Sequence, residues 1–422
     1  MFISFDEWIN QRKITSWGTN FGTSQIAFQG WRHFKEAYVP ELIERAINES
    51  RIPVTSCLDP FGGSGTTALA CQFLGVHPST IEVNPYLADL IEAKLSTYNI
   101  HSLVDDFGFV IKTSYEDIPN VEEYINYLPP TFVEPGINNR WIFNLGVANR
   151  IYAIISAIKK INNPINARLF KVLLGGILVE VSNTVVNGKG RRYRNNWNNR
   201  LVENFKVDEL FQISVKRAIS DISKYSNRRC LSFELLRGDS RELISSIKNI
   251  DLCVFSPPYP NSFDYTDVYN IELWVLQYLN SKNDNKLLRE KTLTSHVQVQ
   301  RSYSSYPDGS ALLSETIGNL EVLQKSLWNK NIPAMVGAYF TDMKLVIDEV
   351  CEKLSPKGEI WMVVGDSKYA GVKVSTAQIL IELMSNKGIN LINYEAFRSM
   401  RTSAQQGGQK GLDETLITFR KD

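Results

Sequence analysis

The chain has 422 residues, enough for one large α/β domain with a substantial insertion or for two ordinary domains. Its 46 Lys and Arg balance 45 Asp and Glu, so affinity for a polyanion has to come from local clusters and not from the net field. Five scattered cysteines with no CxxC pair suggest neither a disulfide framework nor a zinc site and fit a reducing cytoplasm; no apolar run approaches the ~18 residues of a membrane span.

The first predicted strand, Val54 to Leu58, runs into Asp59-Pro60-Phe61-Gly62-Gly63-Ser64-Gly65-Thr66-Thr67 and then a helical stretch. Glycines let the backbone turn tightly and approach a ligand, and a helix N-terminus offers free amides. No Lys follows Gly65, which disfavours a phosphate-gripping P-loop. An acid ahead of the glycines suits a ligand that carries an ammonium group. Glu82 closes a second short strand about twenty residues further on, the spacing at which an acid accepts hydrogen bonds from both ribose hydroxyls.

From about Tyr115 to Tyr225 amphipathic helices take over, such as Gly146 to Lys160 and Ala167 to Val181, and no strand is expected there. This predicts a helical insertion and a division into residues 1–105, 106–227 and 228–422. Within the insertion, Val186 to Arg200 carries Lys189, Arg191, Arg192, Arg194 and Arg200, with Tyr193 and Trp197 among them. The stretch reads equally as a phosphate-tracking loop and as a solvated basic loop.

The sheet resumes with a strand from Cys230 to Leu236, followed by Arg237-Gly238-Asp239-Ser240, and another from Asp251 to Phe255, followed by Ser256-Pro257-Pro258-Tyr259. Two prolines cannot continue a ladder, so the chain leaves the sheet in a rigid shape with Ser256 and Tyr259 at its carboxyl edge. Such an edge suits an exocyclic amine, whose lone pair is delocalised until acceptors hold its hydrogens. The Ser256 hydroxyl and Pro257 carbonyl are candidate acceptors, and Tyr259 a stacking surface. The polar stretch Ser295 to Ser310 reads as a mobile lid or a DNA-contacting loop, and Glu359 to Val364 as a further strand. On this reading Asp59, Glu82, Asp239 and Ser256 all fall at strand carboxyl ends, where open α/β sheets collect ligands.

These motifs together resemble those of the DNA amino-methyltransferases. DPFGGSGTT is similar to the family's cofactor motif, and SPPY to the form of its catalytic tetrapeptide associated mainly with cytosine. The segment Gln29 to Ile43 resembles the part that packs over the methionine end of the cofactor, with Phe34 and Pro40 at matching positions. Arg237 to Ser240 resembles the motif whose Asp bonds the adenine amine, Tyr339 to Asp366 the later sheet segments, and Glu414-Thr415-Leu416 the closing antiparallel strand.

The resemblance implies a Rossmann-like, seven-stranded S-adenosylmethionine-dependent methyltransferase fold with the helical insertion as target-recognition region. It assigns S-adenosylmethionine to Phe34, Pro40, Asp59 through Thr67, Glu82 and Asp239, and catalysis to Ser256, Pro257, Pro258 and Tyr259, with no metal. The expected reaction is methylation of cytosine N4 on a flipped base in DNA. A restriction–modification or phage-defence setting is expected, with a restriction endonuclease or defence complex as partner. Adenine N6 is the nearest rival target; an RNA amino-methyltransferase and a non-catalytic DNA-binding subunit are the others. Methylation at cytosine carbon 5 is set aside because no Pro-Cys pair supplies its nucleophile.

Overall fold

Alternate residues of the central strands face opposite ways, and both ways are apolar. Leu252 and Val254 enter one core while Cys253 and Phe255 enter another, and both cores are built on helices. A strand buried on both faces belongs to a parallel sheet covered on either side. The computed structural model describes every residue except 1, 13, 15, 19–21, 33–37, 188–189, 262, 386–387 and 402–409.

In chain order the strands are β1 (Ser56–Asp59), β2 (His77–Glu82), β3 (Thr184–Asn187), β4 (Gly190–Tyr193), β5 (Glu234–Arg237), β6 (Ile250–Phe255), β7 (Leu354–Gly365), β8 (Ser367–Tyr369), β9 (Val372–Val374), β10 (Ile389–Arg401) and β11 (Lys410–Lys421). Seven form one sheet in the order β10-β11-β7-β6-β1-β2-β5. The five from β5 to β7 in that row run parallel, and β11 is antiparallel to both its neighbours. The fold is therefore the Rossmann-like, seven-stranded one. From β1 the chain builds outward through β2 to β5, then returns to lay β6 on the other side. That reversal opens a crevice at the carboxyl ends of β1 and β6.

Asp251 fixes the opposite ends of these two strands. Its carboxylate accepts from the amides of Thr55 at 2.9 Å and Ser56 at 3.2 Å. β1 consequently begins two residues later than the apolar run suggests and ends on Asp59 itself.

The helices expected in the insertion are present as Leu145–Ile158 and Pro164–Ile177, joined by Phe205–Lys224. Two expectations need correction. The insertion is not free of strands, because β3 and β4 pair as an antiparallel hairpin; four-residue strands with Arg191 and Arg192 at the centre of one give no apolar alternation to read. The boundary at 105/106 falls inside a continuous helix, Ile100–Glu116. Nor does the insertion keep a core to itself: Val147, Leu169 and Phe211 belong to the same cluster as Leu252 and Val254. Buried ion pairs lie on both sides of this junction, Arg150 Nε meeting Asp208 Oδ2 at 2.7 Å within the insertion and Arg32 meeting Glu272 at 2.7 Å outside it.

Candidate functional site

A cavity of about 540 Å³ opens at the switch point, within the range of small-molecule and cofactor sites. Asp59, Glu82, Asp239 and Ser256 all line it, as do Pro60 to Ser64, Thr66 and Pro257 to Tyr259. The four strand-end groups thus meet around one space. Gly65, Thr67 and Pro40 do not line it, and Phe34 lies outside the described residues.

Close approach dictates the glycine loop. A Cβ on Gly62 would sit 2.5 Å from Thr80 Oγ1, and Gly65 takes φ +78°, a left-handed conformation that side chains disfavour. Thr67 acts beneath the loop: its hydroxyl donates to Asp59 Oδ2 at 2.7 Å, and the Phe61 amide donates to Oδ1 at 3.0 Å. Tyr38, which the sequence did not single out, places its hydroxyl 2.6 Å from Thr67 Oγ1. Burial pushes the Asp59 carboxyl up to about 6. Glu82 accepts from Gly63 N at 2.7 Å and Asn84 N at 2.8 Å, so it stitches the loop to the end of β2, and burial pushes it up to about 7. Each carboxylate oxygen has a second lone pair for a ligand hydroxyl. Asp239 caps the helix Ser240–Leu243 and is gripped by Arg241, whose Nε lies 2.9 Å from Oδ1; Arg241 also reaches Asp342 at 2.9 Å.

A glycine cradle that a methyl group would fill, two buried acids with no cation beside them among the described residues, and an apolar wall of Phe61, Ile81 and Leu87 fit a nucleoside with a cationic amino-acid tail. This is the shape and charge of S-adenosylmethionine. Among the described residues no group of three or more His, Cys, Asp or Glu could hold a metal ion.

At the tetrapeptide the hydrogen bonds run in one direction. Tyr259 donates its only hydroxyl proton to Glu414 Oε1 at 3.0 Å, and Ser256 Oγ lies 3.1 Å from the Tyr259 oxygen. With the tyrosine proton committed, the Ser256 proton points to Tyr259 and both serine lone pairs stay free. Arg398 Nε holds Glu414 at 2.6 Å. Burial and the Glu414 charge keep the Tyr259 phenol protonated well above its ordinary range. Glu414 was read only as part of a closing strand; in KGLDETLITFRK it sits beside a second acid, Asp413, and nothing local singles it out.

The basic stretch of the insertion divides. Arg194 donates to the Ser182 and Val179 carbonyls at 3.2 and 3.0 Å, and Arg200 to the Ser182 and Glu180 carbonyls at 2.6 and 2.8 Å, so both tie the end of a helical segment to the hairpin. Arg191 is largely buried over the Phe132 ring. Arg192 is exposed, and the Tyr193 and Trp197 rings meet at a tilt of 40° with centroids 4.9 Å apart. Lys189 lies outside the described residues. The expected run of solvent-facing cations is therefore corrected: two of its arginines serve the backbone.

Residues 9–93 match a family model described as DNA methylase. The chain is 26% identical, over 95% of its length and 86% of the relative's, to the Type II methyltransferase M.BsoBI of Geobacillus stearothermophilus. It is 25% identical, over 97% of its length and 89% of the relative's, to the Type II methyltransferase M.AvaI of Nostoc sp.. Among solved structures, a glycopeptide N-methyltransferase MtfA complexed with S-adenosyl-L-methionine aligns with a TM-score of 0.31 at 8% identity, over 92% of this chain and 90% of that one.

Proposed function

Since the chain belongs to the DNA amino-methyltransferases, we propose that it methylates the exocyclic N4 amine of cytosine in DNA, using S-adenosylmethionine. The observation that carries this reading is the oriented chain from Glu414 through Tyr259 to Ser256. It leaves the serine oxygen as a pure acceptor at the mouth of β6, which is what a neutral amine needs.

When bound, the cofactor supplies an electrophilic methyl group. The chain's residues supply placement. Asp59 offers a carboxylate to the amino end, Glu82 takes ribose hydroxyls, and Asp239 keeps a lone pair for the adenine amine beside its Arg241 contact. Ser256 Oγ and Pro257 O hold the two amine hydrogens of the base and turn the nitrogen lone pair toward the methyl carbon. The surplus proton of the amine passes to water. The base reaches this cavity only outside the duplex, because its amine is inaccessible in the stack. A serine in first position leaves more room than a carboxylate or carboxamide and favours the smaller base. Arg192, exposed on β4, with Tyr193 and Trp197, meets the DNA backbone from the insertion, which acts as the target-recognition region. A restriction–modification or phage-defence role in the cytoplasm, beside a nuclease or defence complex, suits this activity. Among the described residues no helix is long and apolar enough to cross a membrane.

The test is to digest DNA from cells expressing the chain to nucleosides and separate them by mass. N4-methyldeoxycytidine is expected. Methylated deoxyadenosine without methylated deoxycytidine overturns the choice of base.

A further inference from the structure

The segment that follows the helix Lys282–Glu290 is expected from its composition to be polar and loose, yet it runs through the interior. Thr294, Ser295 and His296 are buried, and Leu293 and Val297 join a hydrophobic core. Arg301 fastens it by donating to the Thr292 carbonyl at 3.1 Å and the Arg289 carbonyl at 2.8 Å, and the Thr294 amide donates to Asp342 at 2.9 Å. His296 is only 1% exposed, yet it lines the same cavity as Ser256 and Tyr259. Its polar neighbours are Asp264, 3.8 Å from Nε2, and Gln298. Gln298 comes within reach of the ring, but among the described residues neither ring nitrogen closes a hydrogen bond of full geometry.

A buried donor without a partner is costly, and one that lines a ligand cavity gains its partner from the ligand. Asp264 is engaged by Arg289 at 2.8 Å and opens the helix Tyr265–Val268, directly downstream of the tetrapeptide. Phe263 and Tyr265, from the same stretch, line the cavity beside it. The cavity wall here thus joins the segment that carries His296 to the chain's exit from the tetrapeptide. We propose that His296 reads the target cytosine, donating its imidazole N–H to N3, the ring acceptor next to the amine being methylated. The inference rests on the cytosine reading above. Burial, helped by Arg301 and Arg289 and opposed by Asp264, holds the imidazole down to about 4. The ring is thus neutral in ordinary buffers and offers one donor and one acceptor.

The experiment uses the purified full chain and duplexes carrying its own methylation site, with cytosine or 3-deazacytosine at the target position. The deaza base lacks the N3 acceptor. On wild type the deaza substitution is expected to lower kcat/KM about ten- to hundredfold, the worth of one buried hydrogen bond. His296→Phe is expected to show a similar loss on cytosine and no further loss on the deaza base, while His296→Gln, which keeps a donor, restores part of the dependence on N3. Affinity for S-adenosylhomocysteine is expected to stay within twofold throughout. Losses that multiply in His296→Phe, or a fall in S-adenosylhomocysteine affinity that accounts for the kinetic loss, would overturn the assignment, the second by moving His296 to the cofactor. If wild type methylates adenine, the cytosine reading itself fails and this inference falls with it.

Discussion

Glu82 gives the sharpest handle on the cofactor site, because its ionisation and its ligand role are the same event. Its folded pKa of about 7 stands above the ordinary 4.5. Glu82 therefore contributes most to the stability of the ligand-free fold where it is protonated, below about pH 4.5, and that contribution falls by about 3 kcal/mol as pH rises through 7. Ribose hydroxyls donate only to acceptors and prefer the carboxylate, so ligand binding should reverse the trend. Affinity for S-adenosylhomocysteine is expected to climb by up to tenfold per pH unit between about 5.5 and 7, then level off, with a smaller step near 6 from Asp59. Glu82→Gln should lose this slope and, at pH 8, about 2 kcal/mol of binding, roughly thirtyfold in Kd. Calorimetry across that pH range on both proteins makes the comparison, and their difference cancels titration of the ligand itself. A wild-type affinity that is flat from pH 5.5 to 8, or a slope that survives in Glu82→Gln, would refute the ribose assignment.

Glu414→Gln should lower methyl transfer by one to two orders of magnitude with cofactor affinity unchanged, since the amide can donate to Tyr259 and free the tyrosine proton to point at Ser256; single-turnover rates beside calorimetry check this. Tyr259→Ala should nearly abolish turnover on DNA that wild type methylates, and Tyr259→Phe should fall between the two; normal turnover in Tyr259→Ala removes the stacking role. Arg194→Ala should cost about 1 to 3 kcal/mol of stability and leave the salt dependence of DNA binding alone, whereas Arg192→Ala should flatten that slope by about one unit with little change in denaturant midpoint. An unchanged slope in Arg192→Ala leaves β4 as ordinary surface.

The fold was legible where local chemistry is strict. Apolar runs ending in glycine or proline marked β1, β6 and their loops, because a buried parallel strand and its exit tolerate few residue types. The cluster of strand-end acids was legible for the same reason: Asp59, Glu82 and Asp239 sit at strand ends and line one cavity. What escaped depended on partners distant in sequence. Arg194 and Arg200 look like phosphate ligands until carbonyls twelve to twenty residues upstream are seen to claim them. Glu414 and Tyr259 lie 155 residues apart, and neither local pattern announces their bond. His296 sat in a stretch whose polarity suggested solvent, and only its place beneath the Arg301 ties reveals a buried ring.

The carboxylate that polarises Ser256 belongs to β11, a strand enclosed between β7 and β10. Glu414 is thus the last of the site's residues to leave the ribosome, more than 150 residues after Tyr259. The serine of a nascent chain has no fixed proton direction until the final hairpin pairs beside β7. Competence to modify a base would thus arrive as a single late event, and because Leu416, Ile417 and Phe419 of the same strand enter the two cores, a chain cut short within β10 would lose core packing on both faces of the sheet together with the carboxylate.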